Sequence, residues 1–191
     1  LAYRKMQQLE FDPLFLSYMQ KALFKDICIR AYGLDIPIFI FRAMFMNKPA
    51  NQGTKLPWHQ DNFTNMDRRP VITVWMAMDD ATIENGCVEV LPGSHRHYSD
   101  EDETVFLNDE QVAEVLAQYT PVTLECKAGE GLLLHNRLIH TSGVNPTEAP
   151  RRAFSVCYMD GRAVSSRGET YSVIFGEGAL RPEGVGKAMV R

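Results

Sequence analysis

The stretch VITVWMAMDDATIENGCVEVLPGSH, residues 71–95, holds two short runs of branched and aromatic residues, 71–78 and 87–91. The turn signal ENG separates them and LPGSH closes the second. Branched and aromatic side chains suit a pleated, half-buried surface, whereas Gly, Pro and Asn interrupt it. Both runs are too short for helices and read as strands. The same rhythm recurs on either side: IPIFIFRAMFM from Ile36, VTLEC at 122–126, GLLLH at 131–135 and RAFSVCYM at 152–159. NKPANQG (47–53), AGEG and SGVNPTEAP read as the loops between them. Many short strands divided by such turns argue for an antiparallel sandwich or barrel over alternating β-α units. The expected fold is mainly β, a jelly roll (the cupin-like double-stranded β-helix), with flanking helices.

One helical region precedes this pattern and another interrupts it. Residues 1 to about 30 read as helix, with Asp12 as N-cap, Pro13 at the first helical position and Gly33 as the stop. NDEQVAEVLAQY, 108–119, reads as a helix capped by Asn108 or Asp109 and packed outside the sheet. The tail, 161–191, is Gly-rich and reads as irregular. One domain is expected over 1–191, lacking part of its N-terminal side, since the chain starts at Leu1 amid an amphipathic segment.

A formal net charge of −4 argues against a phosphate backbone as partner. Cys28, Cys87, Cys126 and Cys157 form no C-x-x-C pair, which argues against a zinc ribbon and fits free thiols in a reducing compartment. No apolar run reaches the roughly 18 residues of a membrane span. A soluble, cytoplasmic protein, monomeric or homodimeric and acting on a small molecule, is expected.

Chemistry enters at LPWHQDNF, 56–63. Alternate residues of a strand share a face, so His59 and Asp61 can reach one point while Gln60 turns away. An imidazole and a carboxylate together suit a first-row divalent metal. H-x-D alone does not separate a metal site from a polar sheet edge, so a third ligand is needed. His140 and His135 compete for that place, both lying in GLLLHNRLIH. Arg151 and Arg152 open the next strand, and alternation turns only one of them inward. A buried guanidinium requires an anion, such as the far carboxylate of a dicarboxylate cosubstrate. His95 and His97, after the LPGS turn, read as loop residues.

In order and spacing, MFMNKP (44–49), PWHQD (57–61), VWMAMDD (74–80), NGCVEVLPGSHR (85–96) and HTSGVNPTEAPRRA (140–153) resemble the phytanoyl-CoA dioxygenase family of Fe(II)- and 2-oxoglutarate-dependent oxygenases. The resemblance implies Fe(II), 2-oxoglutarate and O2, with His59, Asp61 and His140 on iron. It also implies Arg151 on the far carboxylate of 2-oxoglutarate, assisted by Ser142, with Trp75 and Met44 lining the same pocket. It thereby favours His140 over His135 and Arg151 over Arg152. Halogenating relatives lack the metal-binding aspartate; with Asp61 present, the implied reaction is hydroxylation of a small molecule with decarboxylation of 2-oxoglutarate to succinate. The competing class is a non-catalytic jelly-roll metal or small-molecule binding protein, which would not require Arg151 and Ser142. A zinc hydrolase is disfavoured, because no H-E-x-x-H is present.

Overall fold

A computed structural model describes residues 5–99 and 101–186. Its strands are β1 (Lys5–Gln7), β2 (Ile38–Lys48), β3 (Leu56–His59), β4 (Ile72–Ala77), β5 (Val88–Val90), β6 (Val122–Leu124), β7 (Gly131–His135), β8 (His140–Ser142), β9 (Arg151–Asp160) and β10 (Ser172–Phe175). Its α-helices are α1 (Pro13–Met19), α2 (Ala22–Tyr32) and α3 (Asp109–Gln118). One sheet has the order β1-β2-β9-β4-β7, with β10 also paired to β2; the other has the order β3-β8-β5-β6. This mainly β arrangement with flanking helices is the jelly roll that the strand-and-turn rhythm predicts.

Backbone contacts divide the chain into two compact units, one built on 46–62 and 74–154, the other on 6–45, 63–73 and 155–186. In the first, Trp75 and Ala77 of β4 and Ala153 of β9 share a buried cluster with Val88 and Val90 of β5, Cys87 and Cys126. Leu124 of β6 and Leu132 and Leu134 of β7 pack against it. Inward faces of both sheets therefore meet in one apolar core, which is what holds a sandwich together. Helix α3 begins with a capping box, the Asn108 side chain accepting from the Gln111 amide while the Gln111 side chain accepts from the Asn108 amide. It buries Val115 against Leu91, Leu107 and Ile139. The ENG turn ends at Gly86, whose φ of 78° favours glycine. A Cβ there would stand 2.5 Å from the Gly143 carbonyl oxygen just beyond β8.

In the second unit, the Asp12 carboxylate accepts from the amides of Leu14 and Phe15 and starts α1 behind Pro13. The helix read across 1 to about 30 is not continuous: β1 occupies 5–7, α1 stops at Met19 and α2 restarts at Ala22. Its first four residues lie outside the described set. The break falls at Gln20, whose side-chain Nε2 donates to the carbonyls of Ile174 and Leu180, a long-range contact that local periodicity does not encode. In the stretch read as irregular tail, Ser172 and Val173 of β10 pair with Ile40 and Phe39 of β2, and Ile174 is buried. Residues 187–191 of that tail lie outside the described residues. Strand β2 also continues through Asn47 and Lys48, which the sequence places in a loop. Among the described residues no helix is long and apolar enough to cross a membrane.

Candidate active site

The β3 edge of the first unit's four-stranded sheet carries two histidines side by side. His59 is the last residue of β3 and His140 the first of β8, and they are direct antiparallel partners. Partners on adjacent strands project to the same face. Their ring centroids lie 4.0 Å apart with the planes at 44°. Each ring is held in the same way: Nδ1 of His59 lies 2.8 Å from the Pro57 carbonyl, and Nδ1 of His140 lies 2.8 Å from that of Leu138. A carbonyl only accepts, so Nδ1 carries the proton in both rings, and Nε2 keeps the lone pair when the ring is neutral. Burial, and secondly the neighbouring His140, push the His59 pKa down to about 4, against an upward pull from the Asp61 carboxylate. A neutral imidazole with a bare Nε2 is the form that binds metals.

Asp61 does not sit on the strand, as simple alternation suggests, because β3 ends at His59. It is half-buried, and its amide donates to the Asn136 carbonyl at 2.8 Å. Its neighbours are tied down on a different side. The Gln60 amide donates to the Val105 carbonyl, and the Gln60 side chain, 1% exposed, donates to that of Thr104 at 2.8 Å. The Asn62 side chain donates to the carbonyls of Asp102 and Thr104. Gln60 is thus turned away from the site and spent on the backbone of 102–105. Among the described residues no three His, Cys, Asp or Glu side chains complete a metal-binding cluster. Two imidazoles are paired, and Asp61 is near enough to be felt by His59.

Arg151 opens β9 and is 4% exposed, whereas Arg152 is exposed and grips Asp79 through Nε at 2.7 Å and Nη2 at 2.6 Å. Strand alternation separates the two fates. The Arg151 Cζ lies 5.4 Å from the centre of the Trp75 ring, a cation–π contact with a tryptophan that is itself 4% exposed. Its Nε and Nη1 are buried and have no hydrogen-bond partner. Burial lowers its pKa to about 10, so it stays charged at neutral pH. An unanswered buried guanidinium is costly and fits a site for a bound anion. Ser142, also buried, lies two residues beyond His140 along β8 and therefore on the same face. Met44 is buried in the part of β2 that belongs to the second unit.

His135, the rival to His140, is paired elsewhere. Its ring centroid is 4.9 Å from that of His95, and its Nδ1 accepts the Arg137 amide at 3.1 Å. The hydrogen of the neutral ring is therefore on Nε2, the reverse of His59 and His140.

Lys48 escapes a reading by sequence, because it stands in what looks like loop chemistry. It is 8% exposed, and its ammonium donates to the carbonyls of Thr54 at 2.9 Å, Ser142 at 3.3 Å and Gly143. It thereby ties the approach to β3 to the end of β8, the two strands that carry the histidines. Asn136 and Phe106 also belong to the surroundings of His59 and Asp61 and carry no local signal at all.

Paired imidazoles thus stand on one jelly-roll sheet, with a buried arginine on the strand after them. The family model described as phytanoyl-CoA dioxygenase matches residues 7–153, and the chain belongs to that family. A phytanoyl-CoA dioxygenase of Arabidopsis thaliana is 29% identical over 153 residues, covering 77% of this chain and 53% of the relative. Phytanoyl-CoA dioxygenase 1 of Oryza sativa subsp. japonica is 31% identical over 162 residues, covering 79% and 54%. The chain spans about half the length of the curated relatives it matches. Among solved structures, EctD from S. alaskensis with bound Fe aligns at a TM-score of 0.71 and 22% identity, over 83% of this chain and 57% of the other. The non-heme monooxygenase ThoJ in its apo form aligns at 0.72 and 21%, over 96% and 72%. At such identities these two likenesses speak for the fold.

Proposed function

We propose that this protein is an Fe(II)- and 2-oxoglutarate-dependent dioxygenase that hydroxylates a C–H bond of a small molecule. The observation that carries this reading is the Arg151 guanidinium, buried over Trp75 with Nε and Nη1 unsatisfied, in the same unit as the His59–His140 pair. A site that held a metal for structural reasons alone has no use for it.

His59 and His140 would present Nε2 lone pairs to the metal, and the half-buried Asp61 would supply the anionic ligand. Two histidines and one carboxylate are the donor set that facial-triad oxygenases use for non-haem iron. Iron bound there, with 2-oxoglutarate and O2, supplies the oxidising power that turns C–H into C–OH while 2-oxoglutarate becomes succinate and carbon dioxide. The protein's own share is binding and orientation. The Pro57 and Leu138 carbonyls hold each imidazole in the ligating tautomer. Arg151 donates to the far carboxylate of 2-oxoglutarate, Ser142 adds a hydroxyl donor, and Trp75 keeps water from the guanidinium's face.

Anaerobic reconstitution with Fe(II), followed by 2-oxoglutarate, oxygen and a panel of small metabolites, tests the reading. About one iron per chain and substrate-stimulated succinate release are expected. A protein that binds no iron, or consumes no 2-oxoglutarate with any compound of the panel, overturns it.

A further inference from the structure

The two histidines are the middle of a longer row across the sheet. On the far side of His140 its partner is Val90 of β5, whose own partner is Val122 of β6. On the near side, His59 forms an isolated antiparallel bridge with Phe106. Side chains of such partners share a face, so Phe106 stands on the same face as His59 and His140, one place further out. Its ring lies 5.3 Å from that of His59 with the planes only 22° apart. Even so, Phe106 is 57% exposed. One face of the ring therefore covers a buried imidazole and the other meets solvent.

This is not a loose loop tip. The Gln60 amide donates to the Val105 carbonyl at 2.9 Å and the Leu107 amide to the Trp58 carbonyl at 3.0 Å, so Phe106 is clamped between two backbone bonds to the strand edge. The side chains of Gln60 and Asn62 fasten the preceding carbonyl of Thr104. A fixed aromatic ring with one apolar face in water is a ready contact for a ligand, since it loses little freedom when covered.

We propose that Phe106 is a substrate-contacting residue, and that its free face selects substrates with an apolar or planar portion next to the carbon that reacts. This rests on the reading of His59, Asp61 and His140 as the metal site, and it adds the class of group that the site accepts.

4-Fluorophenylalanine introduced at position 106 reports the geometry by fluorine NMR. Loading with paramagnetic Co(II) should shift and broaden its resonance, whereas Zn(II) should leave it narrow. Toluene, the apolar probe, is then titrated into the Zn(II)- and 2-oxoglutarate-loaded protein, where no turnover occurs, and should move the same resonance. Phe106→Ala should weaken toluene binding about tenfold, and Phe106→Leu, which keeps an apolar side chain, threefold or less by rough estimate. If the alanine variant fails to fold, the leucine variant and the fluorine signal decide. Stoichiometric Co(II) binding with an unmoved resonance, or toluene binding unaltered by Phe106→Ala, overturns the role of Phe106 and leaves the metal reading standing. Failure to bind Co(II) at all overturns both.

Discussion

Two pairs of imidazoles lie in the same unit, with similar ring tilts, and the backbone meets them differently. His59 and His140 stand 4.0 Å apart at 44°, His95 and His135 4.9 Å apart at 42°. In the first pair both Nδ1 atoms face carbonyls, so the outer nitrogens are bare. In the second, His135 takes a backbone amide on Nδ1 and keeps its proton on Nε2. Proximity alone does not make ligands; the backbone group behind each ring decides whether it offers a lone pair or a hydrogen.

The contrast can be broken most decisively at the carboxylate. Asp61→Ala should take substrate-dependent succinate release to background, and unchanged release would remove Asp61 from the site. Next, Arg151→Ala should weaken 2-oxoglutarate at least about thirtyfold, from the roughly 2 kcal/mol or more that an unpaired buried charge partner costs. Bound iron should not change, and parallel loss of metal and cosubstrate in equilibrium dialysis would make Arg151 a support of the fold instead.

Lys48→Met should lower stability by about 1–3 kcal/mol in urea unfolding, because it strips a donor from the buried end of β8. A variant as stable as the parent would show that those carbonyls find other partners. The smallest change is expected at the second pair: His135→Gln should leave bound iron as it was, and a metal-free protein would move the ligand role from His140 to His135. Its pH signature has a definite sign. Burial first, then His95 and Arg137, depress the His135 pKa below its usual value near 6.5. The folded state thus resists protonating it, and the associated stability is present above that value and lost as pH falls below it. Urea midpoints followed downward from neutral pH should decline less in His135→Gln than in the parent.

Much of this was legible in the chain. Short strands between Gly, Pro and Asn turns announced the jelly roll, and Asp12 with Pro13 and the Asn108–Asp109 pair marked two helix starts, because capping and turn chemistry are local. The break at Gln20, the continuation of β2 through Lys48 and strand β10 were not, since each depends on a partner far along the sequence. Within the site, HQD, HTS and RR named the residue types. By themselves they leave open His140 against His135 and Arg151 against Arg152, and only the family resemblance favours His140 and Arg151.

Sequence by itself determined which side chains were available and roughly where strands begin and end, because propensity and alternation act over a few residues. The tertiary structure decided which of them meet. Register placed His59 opposite His140 and Phe106 beside them, and burial left Nε and Nη1 of Arg151 without a hydrogen-bond partner. Those outcomes follow from hydrogen bonds and packing between segments tens of residues apart, which no local pattern specifies.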